Sequence, residues 1–177
     1  GSGISLLNAV RYAEGEGVVL AGNKIAFKAE NDVNLTGIHS GWLTYDLSGV
    51  PPLTPIVDAY YSSATGWLVL LSTGDLYHAT LSGSVLTLGS IAQNNIKTFA
   101  PKGNVLYAVT NASVVIKSSD GVTWTTITPA FTPAIANFNA ISVNSESNIL
   151  ATFDNGVLYQ YNGTSWVNQS AALKPSA

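Results

Sequence analysis

The chain has 177 residues, with 7 basic and 10 acidic side chains and a formal charge of −3. Apolar residues make up 46% of it and charged residues only 10%, so most polar surface must come from Ser, Thr, Asn and Gly. This composition excludes a disordered tail and fits a β-sheet protein, and the absence of cysteine excludes a disulfide scaffold.

The charge pattern and the hydropathy exclude two classes of partner. The seven basic residues are scattered, whereas a nucleic-acid backbone requires several cations along one face, so we expect no binding of DNA or RNA. The longest unbroken aliphatic and aromatic run, Trp67 to Leu71, is far shorter than the roughly 20 residues of a membrane-spanning helix. We therefore expect no membrane insertion. Phosphate-binding glycine loops are absent, and no cofactor is expected.

The N-terminal residues contribute little to the fold prediction. Residues 1–4, which begin Gly1-Ser2-Gly3, are interpreted as a tag remnant or linker, and residues 5–177 as a single domain. The stretch from Ser5 to Gly15 is compatible with a helix, but its place in the internal repeat favours a strand.

Internal repeats are the most informative property of the sequence. Four related segments cover about 7–39, 54–90, 95–128 and 135–169, with an insertion at 40–53. The pattern of each segment predicts four short antiparallel strands. Several of these strands are apolar on both faces, which is typical of sheets that pack against a neighbouring sheet on either side. The prediction is an all-β fold: a small β-propeller of four four-stranded blades, either closed or an arc completed by another copy.

The insertion contains the aromatic pair that the repeat does not explain. Trp42 and Tyr45 lie in it, whereas the other three tryptophans occupy repeat positions expected to be buried between blades. Aromatic surface beside hydroxyl groups suits contacts with sugars or proteins. We therefore predict Trp42 and Tyr45 as ligand-contact residues.

One turn motif resembles a known repeat. Ser118, Asp120, Gly121, Thr123 and Trp124 resemble the Asp-box, or BNR motif, with one residue fewer between Asp and Gly. A weaker copy contains Asn162, Gly163 and Trp166. The resemblance implies a turn between the two outer strands of a propeller blade. Asp or Asn beside Gly favours such a tight turn independently of the family, so these residues are predicted to be structural.

The Asp-box also occurs in sialidases, but this sequence argues against that chemistry. The resemblance would imply three arginines that bind the substrate carboxylate, and Arg11 is the only arginine. Most acidic residues fall in predicted turns rather than in a pair suited to glycoside hydrolysis. His39 and His78 are the only histidines and lie far apart in the sequence, so neither a catalytic triad nor a metal site is expected.

The sequence therefore favours recognition over catalysis. The expected function is a non-enzymatic binding or structural module that recognises a cell-surface glycan or protein. The composition is similar to domains of bacteriophage tails and fibres and to bacterial surface propellers, which implies a virion attachment apparatus and a virion or extracellular location. Two alternatives stay open: a fragment of a carbohydrate-active enzyme, and a purely structural scaffold, for which homo-oligomerisation is expected.

Overall fold

All regular secondary structure in the described residues is β-strand. The computed structural model describes residues 7–13, 16–21, 24–28, 43–51, 54–131, 138–153 and 156–169. Every regular element in these ranges is a strand, and none of them is a helix able to cross a membrane. The chain divides into two compact units, residues 1–94 and 95–177.

The first unit contains two antiparallel four-stranded sheets. Sheet I has β1 (Leu7–Ala13), β2 (Glu16–Ala21), β3 (Lys24–Lys28) and β4 (Leu43–Ser48). Sheet II has β5 (Ile56–Ser62), β6 (Gly66–Leu71), β7 (Leu76–Ser82) and β8 (Val85–Gln93). The outer strands β4 and β8 pair in parallel, so the two sheets form one continuous eight-stranded sheet.

Two sequence predictions are decided in sheet I. The segment from Ser5 to Gly15 contains a strand, β1, as the repeat favoured. The segment 40–53, predicted as an insertion that adds either a strand or a protruding loop, contains a strand, because Leu43–Ser48 pairs with β3 as the fourth strand of this sheet. The first repeat therefore extends to Ser48 instead of ending at residue 39.

The core of the first unit forms around β6. Trp67, Val69 and Leu71 face a cluster that β4, β5 and β8 complete, and the alternating residues Leu68 and Leu70 are buried as well. An uninterrupted apolar strand is the sequence pattern of a strand covered on both faces. The run from Trp67 to Leu71, noted above as too short for a membrane helix, is thus a core strand.

The second unit contains two further antiparallel four-stranded sheets. Sheet III has β9 (Ile96–Lys102), β10 (Val105–Thr110), β11 (Val115–Ser118) and β12 (Thr125–Thr126). Sheet IV has β13 (Phe138–Ser145), β14 (Asn148–Phe153), β15 (Leu158–Tyr161) and β16 (Trp166–Asn168). Each sheet is a simple meander, with strands in chain order.

Sheets III and IV pack face to face. Alternate residues of β14, namely Ile149, Ala151 and Phe153, are buried in one apolar cluster with Tyr107 and Val109 of β10. Phe131, in the segment after β12, closes this cluster through ring contacts with Phe153, Tyr159 and Trp166. The period-2 alternation of β14 therefore marks which face of sheet IV meets sheet III.

A buried threonine fixes the segment that carries Phe131. Thr128 Oγ1 accepts a hydrogen bond from the backbone amide of Val115 at 3.0 Å. The backbone amides of Ile127 and Phe131 donate to the carbonyls of Val115 and Ser113, at 2.8 and 3.3 Å. After β12 the chain thus continues in the same direction alongside β11, and it places Phe131 between sheets III and IV.

Candidate functional site

The turn between β11 and β12 is organised by Asp120. Its Oδ1 accepts hydrogen bonds from the backbone amides of Val122 and Thr123, both at 2.8 Å, and from the Ser118 hydroxyl at 2.9 Å. Ser118 Oγ in turn accepts a hydrogen bond from the amide of Gly121 at 2.8 Å, and Gly121 has a φ of +74°. These donors, the Thr123 amide foremost, hold the pKa of Asp120 well below its usual range.

The turn between β15 and β16 repeats this arrangement with a neutral residue. Asn162 Oδ1 accepts hydrogen bonds from the amides of Thr164 and Ser165, at 3.0 and 2.9 Å, and Gly163 has a φ of +95°. In both turns a side-chain oxygen accepts from the amides two and three positions later. The hydrogen bonds described for Asp120 and Asn162 thus lie within their own turns, and a purely structural role for both residues stays a prediction.

The two tryptophans of these motifs differ in their surroundings. Trp166 makes ring contacts with Phe131, Phe138 and Tyr161 and so belongs to the packing between sheets III and IV. Trp124 is half-buried. Within the described ranges, the Nε1 atoms of both rings are buried without a hydrogen-bond partner.

Of the two predicted contact residues, Trp42 and Tyr45, the structure describes Tyr45 alone. Trp42 lies outside the described residues. Tyr45 is only 9% exposed and packs edge-on against Trp67, at 5.8 Å between ring centroids, within the core of the first unit. Burial, followed by the neighbouring Tyr61, raises the pKa of Tyr45 above its ordinary value. Its position favours a packing role, because the residue supplies the inward face of β4.

The structure instead shows a groove in the second unit, between sheets III and IV. It has a volume of about 560 Å³. One wall is the end of sheet III, and the other is the β13–β14 turn together with the β15–β16 turn. The lining residues are Lys117, Thr125, Thr126, Ile127, Ser145, Glu146, Ser147, Tyr161 and Gly163.

An ion pair joins the two walls of the groove. Lys117 of β11 contacts the Glu146 carboxylate in the β13–β14 turn, and both side chains are partly exposed. Lys117 is the cross-strand neighbour of Tyr107 on β10. Burial raises the pKa of the Tyr107 hydroxyl, and the negative charge of Glu146 adds to this more than Lys117 opposes it. An exposed pair of this kind contributes little to stability but presents both charges at one position.

The floor of the groove is fixed and buried. Tyr161 is 5% exposed, and its hydroxyl donates a hydrogen bond to the carbonyl of Ile127 at 3.3 Å. Above it, hydroxyl groups of Thr125, Thr126 and Ser147 line the walls. The groove therefore offers hydroxyl donors and acceptors over an ordered aromatic floor.

Sequence reasoning did not find this groove. From the sequence, Lys117 is one of the scattered basic residues, Glu146 is a carboxylate of the enzyme-fragment alternative, and the turn of Gly163 is structural. Gly163 lies so close to the β13–β14 turn that a Cβ there would be 2.9 Å from the Ser147 Cβ. Because this proximity joins two hairpins of sheet IV, only the tertiary structure reveals it.

The acidic and histidine side chains of the described ranges do not assemble into a metal-binding cluster. No group of three or more His, Asp or Glu side chains lies close enough there to hold a metal ion. Glu146, the carboxylate of the groove, is paired with Lys117. The Asp58 carboxylate, on β5, accepts a hydrogen bond from the adjacent backbone amide of Ala59 at 2.9 Å.

Comparison with solved structures identifies the class of fold. The chain is similar to YCF48 bound to D1 peptide, with 14% identity and a TM-score of 0.60 over 91% of this chain and 52% of that chain. It is similar to the computationally designed Ika4 protein, with 10% identity and a TM-score of 0.54 over 89% and 91% of the two chains. The N-terminal domain of Nup159 matches with 12% identity and a TM-score of 0.53 over 92% and 47%.

These structures are β-propellers, and the likeness confirms the propeller fold that the repeats predicted. The chain spans about half the length of the YCF48 and Nup159 chains that it matches. No protein-family model matches the sequence, and no curated protein matches it. The number of blades and closure of the ring remain predictions.

Proposed function

We propose that this chain is a non-enzymatic recognition module that binds an extended polar segment of a partner protein in the groove between sheets III and IV. The observation that carries the proposal is the position of β12. This strand is the outermost one of sheet III, and its residues Thr125 and Thr126 are exposed and line the groove. An edge strand offers backbone donors and acceptors to an added extended segment.

The chemistry of the groove suits such a segment. Lys117 can pair with a negative group of the ligand, and Glu146 with a positive one. The threonine and serine hydroxyls can form hydrogen bonds with peptide amides or carbonyls. The buried Tyr161 supplies a preordered floor, which reduces the entropy cost of binding. The fold likeness adds support, because YCF48 was solved with a bound peptide.

The carboxylate content of the groove favours binding over catalysis. Glycoside hydrolysis requires two carboxyl groups across the scissile bond, roughly 5–10 Å apart. Glu146 is the one carboxylate among the described residues that line the groove, and Lys117 holds it as a charged pair. We therefore favour binding over the alternative of an enzyme fragment.

The test is selection of a random-peptide display library on the whole chain, with binding of the selected peptides measured by fluorescence polarisation. Thr125→Trp fills the groove and should weaken binding by roughly tenfold or more. The matched control is Thr87→Trp, an exposed threonine of β8 outside the groove. Failure to select any peptide, or equal binding by both variants, would refute the proposal.

A glycan array probed with the same proteins separates the other expected ligand. Glycan binding that is abolished by Thr125→Trp, with no peptide binding, would replace the peptide proposal by a carbohydrate site in the groove. Recognition of a cell surface by a virion protein, expected from the sequence, remains a prediction. Binding of the labelled chain to a panel of bacterial cells tests it.

A further inference from the structure

Sheet IV has one face that points away from sheet III, and we call it the outer face. On β14 its residues are Leu150 and Thr152, which alternate with the buried Ile149, Ala151 and Phe153. The strand registers extend the face in two rows: Ser142, Leu150, Gln160 and Val167 lie in one, and Ala140, Thr152 and Leu158 in the other.

The outer face is uncharged and partly apolar. Leu150 is 38% exposed and Val167 is 41% exposed, and they lie on either side of Gln160 in the same row. The side-chain amide of Gln160 donates a hydrogen bond through Nε2 to Asn148 Oδ1 at 2.9 Å, so one of its polar groups has a partner within the sheet. A contacting surface would therefore not have to bury a charge.

Sheet IV differs in composition from the other three. Its four strands contain no Asp, Glu, Lys, Arg or His, whereas each of sheets I, II and III includes at least one Asp, Glu, Lys or Arg in its strands. A strand face that stays in water is usually given charges, which also prevent association with other sheets. Sheet IV lacks that protection over its whole area.

The other central strands show what a covered sheet looks like in this chain. In β10 the consecutive residues from Leu106 to Val109 are all buried, and in β6 so are those from Trp67 to Leu71. In β14, by contrast, Leu150 and Thr152 remain exposed. Strands β6 and β10 are thus covered on both faces, whereas β14 is covered on one face only.

We infer that the outer face of sheet IV is a stacking surface for a β-sheet of a second copy of this chain. The repeat that builds all four sheets makes another copy a source of sheets with the same meander. The packing of sheet III on sheet IV shows that two such meanders can stack through apolar rows. A second copy would also supply the half that this chain leaves unmatched in YCF48 and in the Nup159 domain, of which it spans 52% and 47%. The designed Ika4 protein, by contrast, is spanned to 91% by a single chain.

Sedimentation equilibrium from micromolar to near-millimolar concentration tests the inference. The wild-type chain should reach twice its mass of 18.5 kDa. Leu150→Lys and Val167→Lys should each raise the dissociation constant by roughly tenfold or more, because a buried lysine in the contact has no partner. The matched control is Val122→Lys, since Val122 is 68% exposed in the Asp120 turn, away from this face.

A second measurement does not depend on these lysine variants. The chain has no cysteine, so Ser142→Cys provides a single thiol on the outer face. Its reaction with a maleimide should slow as the protein concentration rises, whereas a thiol at Val122→Cys should react at a constant rate. A monomer at every concentration, or equal effects of Leu150→Lys and Val122→Lys, would overturn the inference. Peptide binding in the groove is measured independently, so either proposal can fail without the other.

Discussion

Replacing Gly163 by Ala tests the contact between the two turns that form one wall of the groove. Gly163 has a φ of +95°, and an added Cβ would lie 2.9 Å from the Cβ and 3.5 Å from the Cα of Ser147. Neither atom belongs to the mobile end of a long side chain. Relief of the clash therefore requires a backbone shift of the β15–β16 turn or of the β13–β14 turn, which also carries Glu146.

The expected destabilisation has two parts. A residue with a Cβ at positive φ costs about 1–2 kcal/mol, and overpacking typically costs about 1–3 kcal/mol more. Gly156→Ala separates them, because Gly156 has a φ of +74° but open space around its Cβ position. We expect Gly163→Ala to lower the free energy of unfolding by about 1–3 kcal/mol more than Gly156→Ala does.

Urea unfolding of both variants measures this difference. Ser147→Gly removes the opposing Cβ and should restore most of the extra loss in the double variant, with a coupling energy of about 1–3 kcal/mol. Equal destabilisation by the two alanine variants, or no rescue by Ser147→Gly, would show that the two turns are not in contact as described.

Three other substitutions test the packing and the turns. Phe153→Ala removes a ring that is 1% exposed in the core of the second unit and should cost about 3–5 kcal/mol in urea unfolding. Thr128→Val leaves the buried amide of Val115 without its acceptor and should cost about 1–3 kcal/mol by the same assay. Because the pKa of Asp120 is lower in the folded state, its carboxylate stabilises the fold above about pH 4 and loses this effect as the pH falls through the folded pKa. Asp120→Asn, which mimics the natural Asn162 turn, should therefore unfold thermally with a weaker dependence on acid pH than wild type, and an unchanged dependence would contradict the assignment.

The hairpins of sheets III and IV were predictable because their signals are local. The residues around Asp120 and Asn162 specify a turn within a few positions, and the apolar runs before them mark the strands on either side. The central strand of sheet II was likewise visible as the run from Trp67 to Leu71.

One physical reason explains why neither the last strand of sheet I nor the groove could be predicted from the sequence. β3 ends at Lys28 and β4 begins only at Leu43, so the spacing of the repeat is lost there, and pairing with β3 and β8 defines the strand. The groove likewise depends on the approach of Gly163 to Ser147. Both features arise from contacts between segments that are distant in sequence.

The parallel pairing of β4 with β8 has a consequence for biosynthesis. Asp46 pairs with Val85, about 40 residues later in the chain. At a translation rate of about 5–20 residues per second, β4 leaves the ribosome roughly 2–8 s before this partner. During that interval its outer edge is open to other nascent chains, so the yield of correctly assembled protein should fall when elongation is slowed between codons 49 and 84.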